Sequence, residues 1–150
     1  MSHVSYAEFA RTAEAARTAM TALSKSALDL GLDKSVSELV KLRVSQINGC
    51  AFCIAFHLKV LRGLNVAQAK LDMLPVWHEA PEFSDAERAA LGWAEEMTAM
   101  AEAAPAEESR EALASYFSRE QIMGLNISIA GINAWNRMAV AFGFTAAEAP

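Results

Sequence analysis

Apolar residues recur every three or four positions along most of this chain, which is the spacing of one face of an α-helix. The clearest run lies between Val4 and Leu30 and predicts one amphipathic helix, or two with a kink, ended by Gly31. No segment alternates apolar and polar residues for long enough to predict a strand. About a fifth of the 150 residues are alanine, and only seven are glycine and four proline. The sequence therefore predicts an all-α fold of six to eight helices.

Start and stop signals divide the chain into these helices. In a capping box, a serine and the Glu or Gln three residues later bond each other's backbone N–H groups. Three segments match it, namely Ser35 to Glu38, Ser84 to Glu87 and Ser118 to Gln121. The third precedes a long apolar helix, Ile122 to Phe142, which Gly143 is expected to end. With no repeat or flexible linker, the sequence predicts a single domain over residues 1–150.

Charge and hydropathy exclude several classes of function. Thirteen Lys and Arg against eighteen Asp and Glu give a net charge of −5, which does not favour a nucleic-acid partner. Charged residues interrupt every apolar run before the ~18–20 residues of a membrane span, so no membrane partner is expected. No secretory signal is visible at the N-terminus, and we expect a cytoplasmic protein.

Cys50 and Cys53 are the chain's two cysteines and carry its strongest chemical signal. They follow Asn48-Gly49, a pair that predicts a turn, so they stand at the start of the next helix. A helix N-terminus favours a thiolate and lowers the pKa of a cysteine thiol. The spacing also lets the two sulfur atoms meet in a disulfide. The pattern therefore indicates reversible dithiol chemistry, as in a general dithiol-disulfide oxidoreductase.

A histidine and a carboxylate are expected beside these thiols. His57 lies one helical turn after Cys53 on the same face, where its imidazole can take a thiol proton. If the helices before and after Asn48-Gly49 fold back on each other, Glu38 lies roughly 15 Å from the turn and His57 roughly 12 Å. The two side chains are then nearly level. Glu38, His57 and Cys53 are the members of this predicted proton relay.

Other interpretations of the same residues remain open. Glu38 can instead cap its own helix as the last residue of the first capping box. The two cysteines, His57 and Glu38 together have the residue types of a zinc site, although the preferred hypothesis has no metal and no cofactor. A non-catalytic or metal-holding assembly protein is therefore the alternative to an enzyme.

The motif resembles that of the AhpD-like alkylhydroperoxidases, within the carboxymuconolactone decarboxylase superfamily. The shared pattern is Glu38, twelve residues to Cys50, then Cys53 and His57, set in the segment Leu39 to Cys50. The segments Phe83 to Arg88 and Ile132 to Arg137 are also similar to peroxidase-related members. We therefore expect an AhpD-like helical bundle with the two cysteines at a helix N-terminus.

The resemblance implies roles for the motif residues. Cys53 attacks a hydroperoxide and becomes the sulfenic acid, whereas Cys50 donates a proton and then resolves it as a disulfide. His57 and Glu38 serve the proton relay, although the helix dipole alone favours Cys50 as the more acidic thiol. The implied partners are a hydroperoxide, a dithiol reductant of lipoyl or thioredoxin type, and further copies of the chain in a trimer or hexamer.

Three further residues are candidates for the pocket. Phe52 stands where well-studied peroxidase members carry a second histidine, a departure that bears on rate and substrate. Trp135 and Asn133 lie on the long apolar helix that is expected to line the pocket or a subunit interface. A hydrophobic content of 53% in a small chain also predicts that neighbouring subunits cover part of its apolar surface.

Overall fold

The computed structural model describes residues 3–150, and these form eight α-helices and three short 3₁₀ turns, with no strand among them. The helices are α1 (Tyr6–Thr12), α2 (Glu14–Ser26), α3 (Lys34–Ile47), α4 (Ala51–Gly63), α5 (Gln68–Met73), α6 (Asp85–Thr98), α7 (Glu107–Tyr116) and α8 (Arg119–Phe142). The 3₁₀ turns are Leu28–Leu30, Leu74–Val76 and Ala146–Glu148. The predicted all-α fold is confirmed.

The first amphipathic run forms two helices with a break between them. Ala13 has φ −112° and ψ 42°, which interrupts the helical backbone between α1 and α2. Gly31 then ends the following 3₁₀ turn with φ 79°, a value that suits glycine because it has no Cβ. Gly143 ends α8 in the same way, with φ 78°. The predicted kink and both glycine stops are confirmed.

Two of the three predicted capping boxes are present. At the start of α6 and α8, the hydroxyl groups of Ser84 and Ser118 accept the backbone N–H groups of Glu87 and Gln121. The side chains of Glu87 and Gln121 in turn accept the backbone N–H groups of the two serines. The box predicted at Ser35 is wrong. Asp33 is the N-cap of α3 instead, and its carboxylate accepts the backbone N–H groups of Ser35 and Val36.

A nearby carboxylate therefore displaces the serine as the cap of α3. The hydroxyl of Ser35 also donates to Asp33, which holds the pKa of Asp33 below its ordinary value of 3.8. Because the helix begins at Lys34, Glu38 lies in its second turn and is too far along to cap it. The side chain of Glu38 is buried inside the bundle.

Helix α3 runs through the centre of the molecule. It packs against α4, α6 and α8, and its apolar side chains at Leu39, Val40, Leu42 and Val44 are at most 1% exposed. Those residues surround the helix axis, so α3 is covered on all sides rather than along one stripe. Polar groups on α3 must therefore find partners on neighbouring helices.

None of the helices formed by residues 3–150 combines the length and the apolar character that crossing a bilayer demands. The longest, α8, is the one predicted to follow Ser118, and it packs along α2 and α3. Two glycines of α8 differ in how closely a neighbouring segment approaches them. A Cβ added at Gly124 would meet the carbonyl oxygen of Ala27 at 2.5 Å, whereas one at Gly131 would meet the Ser24 hydroxyl oxygen at 3.7 Å.

We expect Gly124→Ala to lower the free energy of unfolding by about 1–3 kcal/mol, because backbone must move to admit the methyl group. Gly131→Ala is the matched control on the same helix. It is expected to leave stability unchanged or to raise it by up to about 1 kcal/mol, since alanine favours the helix. Urea denaturation of both variants tests the difference, and equal midpoints would contradict the close approach at Ala27.

Candidate active site

The turn between α3 and α4 places the two cysteines. Asn48 ends α3, and Gly49 has φ 67°, which reverses the chain before Cys50. Cys50 is the N-cap of α4, and its sulfur accepts the backbone N–H of Cys53 at 3.2 Å. The predicted turn, and the position of the motif at a helix start, are therefore confirmed.

Cys50 and Cys53 are joined in a disulfide, with Cα atoms 5.3 Å apart. Only 2% of Cys50 and 3% of Cys53 is exposed. Both residues belong to the hydrophobic core, but Cys53 also lines a partly open cavity, whereas Cys50 does not. A small molecule in that cavity reaches Cys53 first.

The turn before the cysteines is tied to α8 by side-chain amides. The Asn48 amide nitrogen donates to the side-chain oxygens of Asn133 at 3.0 Å and Asn136 at 2.9 Å. Asn136 is 1% exposed and donates in turn to the hydroxyl of Ser45 at 3.1 Å. Asn133 also donates to Thr98 at 3.2 Å. These bonds fix the backbone that carries the motif.

Glu38, His57 and Lys41 form a buried charged cluster between α3 and α4. The Glu38 carboxylate accepts from His57 Nδ1 at 2.6 Å and from Lys41 Nζ at 2.8 Å. Each of the three residues is only 6% exposed. The antiparallel hairpin that was predicted to bring Glu38 level with His57 is therefore present.

The environment of Glu38 favours its charged form. Burial raises the pKa of the Glu38 carboxyl, but the hydrogen bond and charge of His57, together with those of Lys41, lower it from 4.5 to about 2. A carboxylate bonded to Nδ1 fixes the orientation of the imidazole ring. The Nε2 atom is then the ring nitrogen left to exchange a proton.

A partly open cavity of about 300 Å³ joins this cluster to Cys53. Its walls include the side chains of Glu38, Lys41, Cys53 and His57, and the rest is mostly apolar. The remaining lining residues are Tyr6, Thr21, Ser24, Lys25, Leu28, Phe52, Phe56, Ile132, Trp135 and Pro150. Such a cavity suits a small organic molecule with one reactive polar end.

Two of the three pocket candidates line the cavity. Phe52 packs against Tyr6 and Phe144, with ring centroids 5.0 and 5.3 Å apart, and forms part of the wall. Trp135 shares its face of α8 with Ile132. The third candidate, Asn133, does not line the cavity, because it lies two residues before Trp135 and its side chain is turned from that of Trp135 by about 200°. Its amide points to Asn48 and Thr98 instead.

Sequence reasoning missed Lys41. A lysine three residues after a glutamate normally belongs to a solvated helix face. The sequence gives no signal that distinguishes this one, because Lys41 shares a polar helix face with Ser37 and Ser45, and only the structure shows that this face is buried. Within residues 3–150, no group of three or more His, Cys, Asp or Glu side chains is arranged to hold a metal ion.

Comparison with known proteins agrees with the family that the motif suggested. The model of the carboxymuconolactone decarboxylase family matches residues 8–96. The Bacillus subtilis protein YdfG is 33% identical over 129 residues, which cover 86% of this chain and 88% of that one.

Solved structures share the fold over most of its length. A protein of unknown function from Agrobacterium tumefaciens, for which a role as the antioxidant defence protein AhpD has been suggested, is 37% identical with a TM-score of 0.85, covering 90% of this chain and 92% of that one. A peroxidase-related protein with an AhpD core from Ralstonia eutropha is 25% identical with a TM-score of 0.77, covering 90% and 72%. The debrominase Bmp8, at 22% identity and a TM-score of 0.74 over 87% and 72%, is similar in fold alone.

The lowered pKa of Glu38 predicts acid sensitivity. A carboxyl group whose pKa is lowered on folding stabilises the native state above its ordinary pKa, here 4.5, and that contribution is lost as the pH falls towards about 2. We expect the free energy of unfolding to fall between these two pH values. In Glu38→Gln this part of the decline should be absent, and stability at pH 7 should be lower by about 1–3 kcal/mol. Denaturant titrations at pH 7, 4 and 2.5 compare the two proteins, and parallel pH curves would contradict the assignment.

Proposed function

This chain belongs to the AhpD-like group of the carboxymuconolactone decarboxylase family, and from that premise we propose that it is a thiol-dependent hydroperoxide reductase. The observation that carries the proposal is the position of Cys53. Cys53 lines a mostly apolar cavity together with the Glu38–His57 pair. Cys50 lies within disulfide distance of Cys53 and does not line the cavity. A reacting thiol, a base and a resolving thiol are thus present in one site.

The reaction begins from the reduced protein. His57 takes the proton of Cys53, and the thiolate attacks one oxygen of the hydroperoxide. The O–O bond breaks, the alcohol leaves with a proton, and Cys53 becomes a sulfenic acid. The thiol of Cys50 then attacks the Cys53 sulfur and water leaves, which produces the disulfide. The peroxide is reduced by two electrons and the two thiols are oxidised by two.

A dithiol must return the protein to its reduced form. With both cysteines at most 3% exposed, the incoming thiolate reaches the disulfide through the cavity rather than across an open surface. A slender arm of lipoyl type suits such an approach better than the broad face of a thioredoxin. The reductant in our proposal is therefore a small or tethered dithiol that attacks Cys53 and is itself oxidised to a disulfide.

We predict different outcomes for the two cysteine variants. Cys53→Ser should abolish hydroperoxide consumption, because it removes the thiol that faces the cavity. Cys50→Ser should still form a sulfenic acid at Cys53, trapped by dimedone and seen as a mass increase, but should form no intrachain disulfide. The reverse pattern, with the sulfenic acid on Cys50 alone, would exchange the two roles. A parent protein that oxidises dithiols but consumes no hydroperoxide would be a general dithiol-disulfide oxidoreductase.

The protein is also proposed to assemble from several copies. Among residues 3–150, seven large apolar side chains are at least 41% exposed, and α2 buries none of its residues fully. The seven are Leu23, Ile47, Val76, Met100, Tyr116, Met123 and Val140. Leu23 lies on α2, and Met123 and Val140 lie on α8. A neighbouring copy of the chain is able to cover these two long helices.

Light scattering tests this assembly at micromolar protein concentration. We expect a mass of three or six times 16.2 kDa. Replacement of Val140 by a charged residue should reduce that mass if α8 lies in the interface, whereas Lys59→Met, on the exposed face of α4, should not. A monomer in the parent protein would remove this part of the proposal and leave the chemistry of the cysteines untouched.

A further inference from the structure

Lys41 is an unusual occupant of the cavity. The residue is only 6% exposed, and it lines a space whose walls are mostly apolar. Among the described residues, Glu38 is the one acceptor bonded to its Nζ. An ammonium has three N–H donors, so two remain for the cavity. A buried charge that is only partly paired acts strongly on other charges nearby, because little water screens it.

The register of the hairpin places Lys41 beside Cys53. Glu38 and His57 are in contact across the antiparallel helices α3 and α4. Lys41 is three residues nearer the turn than Glu38, so its level on α4 is three residues before His57, at Ile54. Along the helix axis Lys41 therefore lies roughly 1.5 Å from the level of Cys53, whereas Glu38 lies roughly 6 Å away. Lys41 and Cys53 also line the same cavity, so the ammonium shares this space with the sulfur.

We propose that the ammonium of Lys41 stabilises Cys53 as a thiolate in the reduced protein and is thereby a further residue of the reaction. The proposal rests on the role of Cys53 given above. Other charged or titratable side chains around the same cavity are Tyr6, Lys25, Glu38 and His57. Lys25 lies on an exposed part of α2, so solvent weakens its effect. Glu38 is bonded to both Lys41 and His57, which neutralises part of its repulsion of a thiolate.

His57, Glu38 and Lys41 have different roles in this proposal. His57 accepts the proton that leaves Cys53, and Glu38 holds the ring in position through Nδ1. Lys41 takes no part in this proton transfer. Its contribution is electrostatic, which means that a different cation at the same position should replace it, whereas a neutral side chain should not.

The test measures the thiolate directly and needs no peroxide. In the Cys50→Ser protein, Cys53 is the single thiol, and its alkylation by iodoacetamide is followed by mass spectrometry from pH 4 to pH 10. We expect Lys41→Gln to raise the pH midpoint of alkylation by about one unit or more. Glutamine can still donate a hydrogen bond to Glu38, which favours a folded variant. Lys41→Arg should keep the midpoint close to that of the parent.

A control and two outcomes complete the experiment. Lys59→Met removes a positive charge from the exposed face of α4 and should leave the midpoint unchanged. An unchanged midpoint in Lys41→Gln would overturn the inference, as would equal shifts in the glutamine and arginine variants, since packing rather than charge would then be responsible. If the parent protein consumes no hydroperoxide, the proposed function fails, but these midpoints still decide the role of Lys41.

Discussion

The buried carboxylate of Glu38 is the group on which the arrangement of the site depends. An unpaired charge at this depth costs several kcal/mol, so the fold must bring it partners. His57 from α4 and Lys41 from its own helix supply them, at 2.6 and 2.8 Å. Sliding α4 by one residue would turn His57 through about 100° and break the contact. The contact therefore fixes the register of α3 against α4, and with it the height of Cys53 in the cavity.

The same requirement recurs along α3, since this helix is covered on all sides. Ser37 pairs with Ser128 of α8 at 3.0 Å, and Arg43 with Glu95 of α6 at 2.7 Å. These two polar residues of the central helix are thus matched to different neighbouring helices, as buried polar groups demand. The candidate active site is built around one such contact, that of Glu38 with His57 of α4. Residues that hold the bundle together and residues that serve the reaction are therefore neighbours on a single helix.

Sequence reasoning succeeded where local geometry decides the outcome. The turn at Gly49 and the levels of Glu38 and His57 depend on helix rise and glycine conformation, which a sequence expresses directly. It failed where two residues suit the same role, or where a choice depends on distant contacts. Ser35 and Asp33 are both good caps, and the helix begins at Lys34 with Asp33 as its N-cap. The direction of Asn133 depends on which face of α8 meets Asn48, a matter that helical periodicity leaves open.

The amide of Asn48 has a consequence for how the motif moves. It binds two residues one helical turn apart on α8, the longest helix of the bundle. Loops around reactive groups often open locally at low energetic cost, but this turn cannot open without breaking bonds to the core. Amide hydrogens near Cys50 should therefore exchange with solvent as slowly as those of α8 itself. In our proposal, reagents therefore reach Cys53 through the existing cavity rather than through transient unfolding of the turn.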